Sequence, residues 1–62
     1  MYGFQTKNST YYMNNQDKTI TGGFFGERIV TYKNARVVVG DRAVIELENN
    51  DTIVTGTVRN YL

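Results

Sequence analysis

The sequence predicts an all-β fold, a small barrel or two-sheet sandwich of SH3-like or OB-like size with six to seven short antiparallel strands. Nineteen of the 62 residues are β-branched, whereas only two are Leu and two are Ala, and branched side chains favour a pleated strand over a helix. Proline is absent, so no segment is barred from the interior of a sheet. We expect a single domain, residues 1–62, since a chain of this length has room for no more.

The N-terminal third predicts a short strand followed by a hairpin. Residues 4–7 form the first strand, and the runs 9–13 and 18–21 flank a polar Asn/Asp cluster, which is typical of a hairpin. Pairing Met13 with Lys18 places Tyr11 and Ile20 on one face and Tyr12 on the other, more polar face.

The middle of the chain predicts a glycine-rich interruption and two further strands. Three glycines within residues 22–26 oppose regular structure. A strand over residues 28–34 follows, with a turn or bulge at 34–35. The three consecutive valines in residues 36–39 predict a strand that is covered on both faces, and residues 40–41 form the next bend.

The clearest predicted element is a C-terminal hairpin between the strands 43–47 and 53–59. A two-residue Asn-Asp loop pairs Leu47 with Val54 and gathers the apolar side chains on one face. Thr55 then lies on the opposite, polar face. We prefer this register because a slip by one residue would mix the two sets.

The composition excludes most enzymatic chemistry. The chain has no His and no Cys, so it lacks the commonest general base, the commonest metal ligand and any thiol nucleophile. The carboxylates are spread over turns and one predicted polar face, which is typical of a solvated surface. We therefore expect a protein that is not an enzyme and that has no cofactor and no metal site.

Hydroxyl, basic and aromatic residues form the candidate binding site. Seven Lys and Arg against six Asp and Glu are too balanced for a long nucleic-acid surface, but a nucleotide pocket needs only two or three charges. Thr and Ser would donate hydrogen bonds, Arg would contact phosphate, and Tyr would stack on a base. The candidate ligand-binding residues are Asn8, Ser9, Thr10, Tyr11, Tyr12, Arg28, Thr55, Thr57 and Arg59. The alternative is that they are ordinary surface arginines, core tyrosines and strand threonines.

Phe24 and Phe25 are candidate interface residues. Two aromatic side chains between glycines cannot both be buried in so small a core, so at least one is expected to contact a neighbouring subunit or a ligand. The alternative is that the glycine segment is only a flexible connector. Free sheet edges and the small core also lead us to expect a homo-oligomer.

The N-terminal run FQTKNSTY, residues 4–11, resembles the F-x-T-x-N-S-T-Y opening of short β-rich proteins encoded by bacteriophages and prophages. Val39-Gly40 and the C-terminal run TGTV, residues 55–58, are similar to the V-G and T-S-x-V motifs of those proteins, with Gly56 in place of the serine. The resemblance implies a phage-type protein in the cytoplasm of a bacterial host. No apolar run reaches the 18 residues of a membrane span, so we expect no membrane association.

Three functions are consistent with these observations. The first is a host-defence inhibitor, an oligomer that sequesters a nucleotide-like or cyclic oligonucleotide ligand. The second is a single-stranded nucleic-acid-binding module, and the third is a structural or protein-interaction module of a phage.

Overall fold

The computed structural model describes residues 2–62 and confirms the all-β prediction. It contains seven antiparallel strands and one 3₁₀ turn, Gly23–Phe25, and no α-helix lies among the described residues. The strands are β1 (Tyr2–Gln5), β2 (Thr10–Asn14), β3 (Thr19–Gly22), β4 (Val30–Arg36), β5 (Arg42–Leu47), β6 (Thr52–Thr57) and β7 (Asn60–Tyr61).

The strands form one curled sheet in the order β6-β5-β4-β3-β2-β1-β7. The two ends of this order, β6 and β7, are joined by only Val58 and Arg59, so the chain crosses from one end of the sheet to the other. The N–H of Val58 donates to the carbonyl of Asp41 at 2.9 Å, and the N–H of Arg59 donates to the carbonyl of Gln5 at 2.7 Å. The sheet is therefore a half-barrel that is closed at this corner.

The core lies inside the curl and draws on nearly every strand. Phe4, Met13, Ile20, Ile45 and Val58 are its largest fully buried side chains. Two further aromatic rings, those of Tyr11 and Phe25, extend this cluster toward the connection between β3 and β4.

The register of the first hairpin differs from the predicted one by two residues. Met13 pairs with Ile20, and Tyr11 pairs with Gly22. The loop forms one residue later than expected because the Asn14 side-chain oxygen accepts the N–H groups of two loop residues and Lys18 adopts a left-handed conformation with a φ of 56°. A shift by two preserves the faces, so the predicted inward and outward sides of β2 and β3 are correct.

The prediction of a fully covered valine strand over residues 36–39 is wrong. β4 ends at Arg36, and Val38 and Val39 are exposed in the following loop. The N–H of Asp41 donates to Val38 O at 3.0 Å, and Gly40 has a φ of 97°. This turn redirects the chain before the valines can pair with a neighbouring strand.

The predicted register of the β5–β6 hairpin is also wrong. Ile45 pairs with Ile53 and Val44 pairs with Val54, so Val54 lies outside the barrel. The cause is a three-residue loop in which Asn50 adopts a φ of 73°, the left-handed conformation typical of such loops. Farther along β6, Thr55 and Gly56 both lie opposite Ala43, and this bulge returns Val58 to the core.

Candidate functional site

Residues 22–28, the last residue of β3 and most of the connection to β4, form a compact closed loop that we call the Phe24 loop. Gly22, Gly23 and Gly26 have positive φ angles of 92°, 46° and 63°, a conformation that residues with a Cβ rarely adopt. The N–H of Gly22 donates to Gly26 O at 3.0 Å, and the N–H of Gly26 donates to Gly23 O at 3.1 Å. The loop therefore has a defined backbone path.

Aromatic residues anchor the Phe24 loop to the core. Phe25 is 3% exposed and contacts the Tyr11 ring edge-on, with the ring centroids 6.3 Å apart. Tyr11 in turn stacks on Phe4 at 4.8 Å. The Tyr11 hydroxyl oxygen accepts the N–H of Phe24 at 3.2 Å, and a Cβ at Gly23 would overlap the Tyr11 ring. Tyr11 therefore supports the loop both through its hydroxyl group and through the packing of its ring. Nothing in the sequence indicates this double role.

Phe24 projects from this anchored loop into solvent. It is 64% exposed, and its ring meets that of Phe25 edge-on at 5.4 Å. Of the two phenylalanines predicted as interface residues, only Phe24 is accessible. The prediction for Phe25 is wrong, because its ring fills the space beside Tyr11.

Two of the predicted ligand-binding residues are unavailable to a ligand. Tyr11 is buried and cannot stack on a base. Thr55 is also buried, and its hydroxyl accepts the Ala43 N–H at 3.2 Å and donates to Gly56 O at 2.8 Å. The predictions for these two residues are wrong because both side chains face the core.

Several of the other predicted residues lie together at the barrel corner. The turn between β1 and β2, residues 6–9, is closed by the N–H of Thr6 donating to Ser9 O at 2.9 Å. Thr6 also lies beside Gly56, and the residue before it, Gln5, bonds to both Thr10 and the backbone of Arg59. We call the β1–β2 turn and the segments 56–59 and Thr10 that adjoin it the hydroxyl corner; the predicted residues within these segments are Asn8, Ser9, Thr10, Thr57 and Arg59.

The two remaining predicted residues, Tyr12 and Arg28, lie outside the hydroxyl corner. Tyr12 is 47% exposed on the outer face of β2. Arg28 ends the Phe24 loop and lines an open groove of about 570 Å³ together with Ile29, Val30, Thr31, Leu47, Glu48 and Asn49. The sequence analysis did not predict this groove. A signal for it was present in Ile29, an apolar residue on the polar side of its predicted strand.

Tyrosines meet at the start of β1. Burial raises the pKa of the Tyr2 hydroxyl, and the nearby Tyr32 and Tyr61 raise it further. Tyr32 donates its hydroxyl to the Asn15 side-chain oxygen at 2.9 Å. A tyrosine hydroxyl is protonated at neutral pH in any case, and the raised pKa extends the neutral, hydrogen-bonding form of Tyr2 to more alkaline pH.

Residues 2–62 contain no cluster of three or more His, Cys, Asp or Glu side chains that could hold a metal ion. This part of the chain has no helix of the length and apolar character needed to cross a membrane. Comparisons with protein-family models, curated proteins and solved structures find no match to this chain. The resemblance to phage proteins that the motif residues predict therefore stays a prediction.

Proposed function

We propose that this chain is a non-enzymatic binding protein whose partner is a protein with an apolar pocket for Phe24. The observation that supports the proposal is the exposed Phe24 ring on a loop held in place by Tyr11, Phe25 and three glycines. A core-anchored loop loses little conformational freedom on binding, which lowers the entropic cost of ordering an interface.

The binding free energy expected from burying the Phe24 side chain is large enough for Phe24 to act as the single anchoring residue of an interface. Burying a phenylalanine side chain contributes about 1.5–3 kcal/mol, and aromatic residues are prominent among the few that dominate binding energy at protein interfaces. A chain without imidazole or thiol groups lacks the commonest catalytic side chains, which favours a binding function over an enzymatic one. The motif residues at both ends of the chain support a phage origin and a partner in the bacterial cytoplasm.

The test is capture of a stoichiometric partner from bacterial lysate by the tagged full chain, followed by titration with the purified partner. We expect Phe24→Ala to weaken binding about thirtyfold, the equivalent of about 2 kcal/mol. Tyr61→Ala is the matched control, because it removes another exposed aromatic ring from β7, at one end of the sheet, and should leave the affinity unchanged. Binding that survives Phe24→Ala would contradict the proposal.

A second candidate function is the sequestration of a nucleotide-like ligand in an oligomer, and the hydroxyl corner favours it. The N–H of Arg59 donates to the carbonyl of Gln5, in the strand that leads into the hydroxyl-rich turn, and Gly56, which precedes Thr57 in the chain, lies beside Thr6. If the Arg59 guanidinium group reached these short hydroxyl side chains, the corner would suit a phosphate group.

Calorimetry with cyclic and linear nucleotides tests this candidate. Binding should be saturable with a sharp stoichiometry and should be lost in Arg59→Ala but retained in Arg36→Ala. Affinity that grows with strand length and falls steeply with salt would instead identify a single-stranded nucleic-acid binder. No heat with any nucleotide would eliminate this candidate and leave the Phe24 proposal standing.

A further inference from the structure

The β6 strand has an open backbone edge. It lies at one end of the strand order and pairs only with β5. The N–H of Leu47 donates to Asp51 O at 2.8 Å, which marks these two residues as a hydrogen-bonded pair. Bonded and non-bonded pairs alternate along an antiparallel ladder, so Ile53 bonds to β5 while Thr52 and Val54 direct their N–H and C=O groups outward. Among residues 2–62, none of the backbone hydrogen bonds outside the strand ladders involves Thr52 or Val54.

This edge lacks most of the features that normally prevent strand addition. Natural edge strands are protected by charged side chains, proline, bulges or short length. At the other end of the sheet, β7 has only two residues. By contrast, β6 has six uncharged residues, TIVTGT, without proline. Its bulge at Thr55 and Gly56 leaves the stretch from Thr52 to Val54 in regular pairing.

We propose that the free edge of β6 binds the β6 strand of a second copy of this chain, with a two-fold axis at Ile53. In this register Thr52 pairs with Val54 of the second copy, and the reverse pair forms by symmetry. The two pairs make four backbone hydrogen bonds and satisfy every outward-facing group of these residues. Because the strand is uncharged, the symmetric pairing brings no like charges together.

The same register extends the core. Ile53 is only partly buried within one copy and packs against the core cluster. On the two-fold axis it faces Ile53 of the second copy as a non-bonded pair, with Cβ atoms about 4.5–5.5 Å apart. A second copy is the favoured occupant because the short, uncharged edge is self-complementary in this register. A domain of this size also gains most from a larger core.

The first test is the oligomeric state in sedimentation equilibrium from about 1 µM to about 1 mM, a range over which a dimer of moderate affinity dissociates. The wild-type chain should form a dimer. Val54→Lys should weaken the dimer on the order of tenfold or more, because it places two lysines beside the shared edge. The control is Val39→Lys, which adds the same charge at a similarly exposed valine in the loop after β4, 46% exposed against 53% for Val54.

The second test is amide hydrogen exchange of the wild-type chain, which does not depend on how the variants fold. The Thr52 and Val54 amides should be protected at high concentration and should exchange faster on dilution. The Ile53 amide, bonded to β5, should be protected at both concentrations. A chain that is monomeric at about 1 mM, or a dimer in which Thr52 and Val54 exchange freely, would overturn the proposal. Equal dissociation of the dimer in the two lysine variants would also overturn the proposal.

Discussion

The Phe24 loop and β6 each place an exposed apolar side chain next to a buried residue, but they do so by different means. In the loop, Phe24 is exposed and Phe25 is buried, and positive-φ glycines around them set the backbone path. In β6, Val54 is exposed and Thr55 is buried because successive side chains of a strand point to opposite faces. Neither arrangement depends on an ion pair or a ligand.

The difference shows where stability and binding are coupled. The direction of Phe24 depends on core aromatics, so a change in the core should disturb the candidate interface. The direction of Val54 depends only on the hairpin register, so an exposed substitution there should leave the core intact. Variants at the buried and exposed members of each pair separate these two cases.

The largest effect is expected for Phe25→Ala. Removing this buried ring leaves a cavity beside Tyr11 and should lower the free energy of unfolding by about 3–5 kcal/mol. A domain of this length has a total stability of only about 3–9 kcal/mol, so much of the variant should be unfolded at room temperature. Urea denaturation followed by tyrosine fluorescence measures the change.

The matched control is Phe24→Ala, which removes the same ring from an exposed position one residue earlier. It should change the unfolding free energy by no more than about 0.5 kcal/mol. Equal destabilisation by the two substitutions would show that Phe24 belongs to the core and would remove the basis of the proposed interface.

The fold class and the faces of the N-terminal hairpin could be predicted because both depend on robust properties of the sequence. β-Branched residues favour strands wherever they occur. The two-residue period tolerates the observed shift of two positions, so Met13 and Ile20 lie inside as predicted and Tyr12 lies outside. The same alternation already places Tyr11 on the apolar face, which explains its burial.

The register of the C-terminal hairpin could not be predicted because its turn sequence is compatible with two loop lengths. Asparagine tolerates the left-handed conformation, so the sequence around Asn50 fits a loop of two or of three residues. The two loops place opposite faces of β6 inside the barrel. The bulge at Thr55, which depends on its contact with Ala43 on a neighbouring strand, has no local sequence signal.

The candidate site was only partly predictable for a related reason. The glycine pattern indicates an irregular segment with aromatic residues, but the choice of which ring is buried depends on the distant Tyr11 hydroxyl and ring. The hydroxyl corner brings together residues from both ends of the chain. The sequence separates them by about 50 positions, and only closure of the half-barrel makes them neighbours.

A smaller effect is expected for Thr55→Val, which tests how the β6 bulge sets the strand faces. Valine has nearly the shape of threonine but cannot accept the buried Ala43 N–H, and an unsatisfied buried donor costs about 1–3 kcal/mol. Thr57→Val makes the same chemical change at an exposed position and should stay within about 0.5 kcal/mol. Urea denaturation gives both free energies, and exchange of the Ala43 amide reports the broken bond. If the two variants are equally stable and Ala43 remains protected, the backbone alone maintains the bulge, and the Thr55 hydroxyl has no part in returning Val58 to the core.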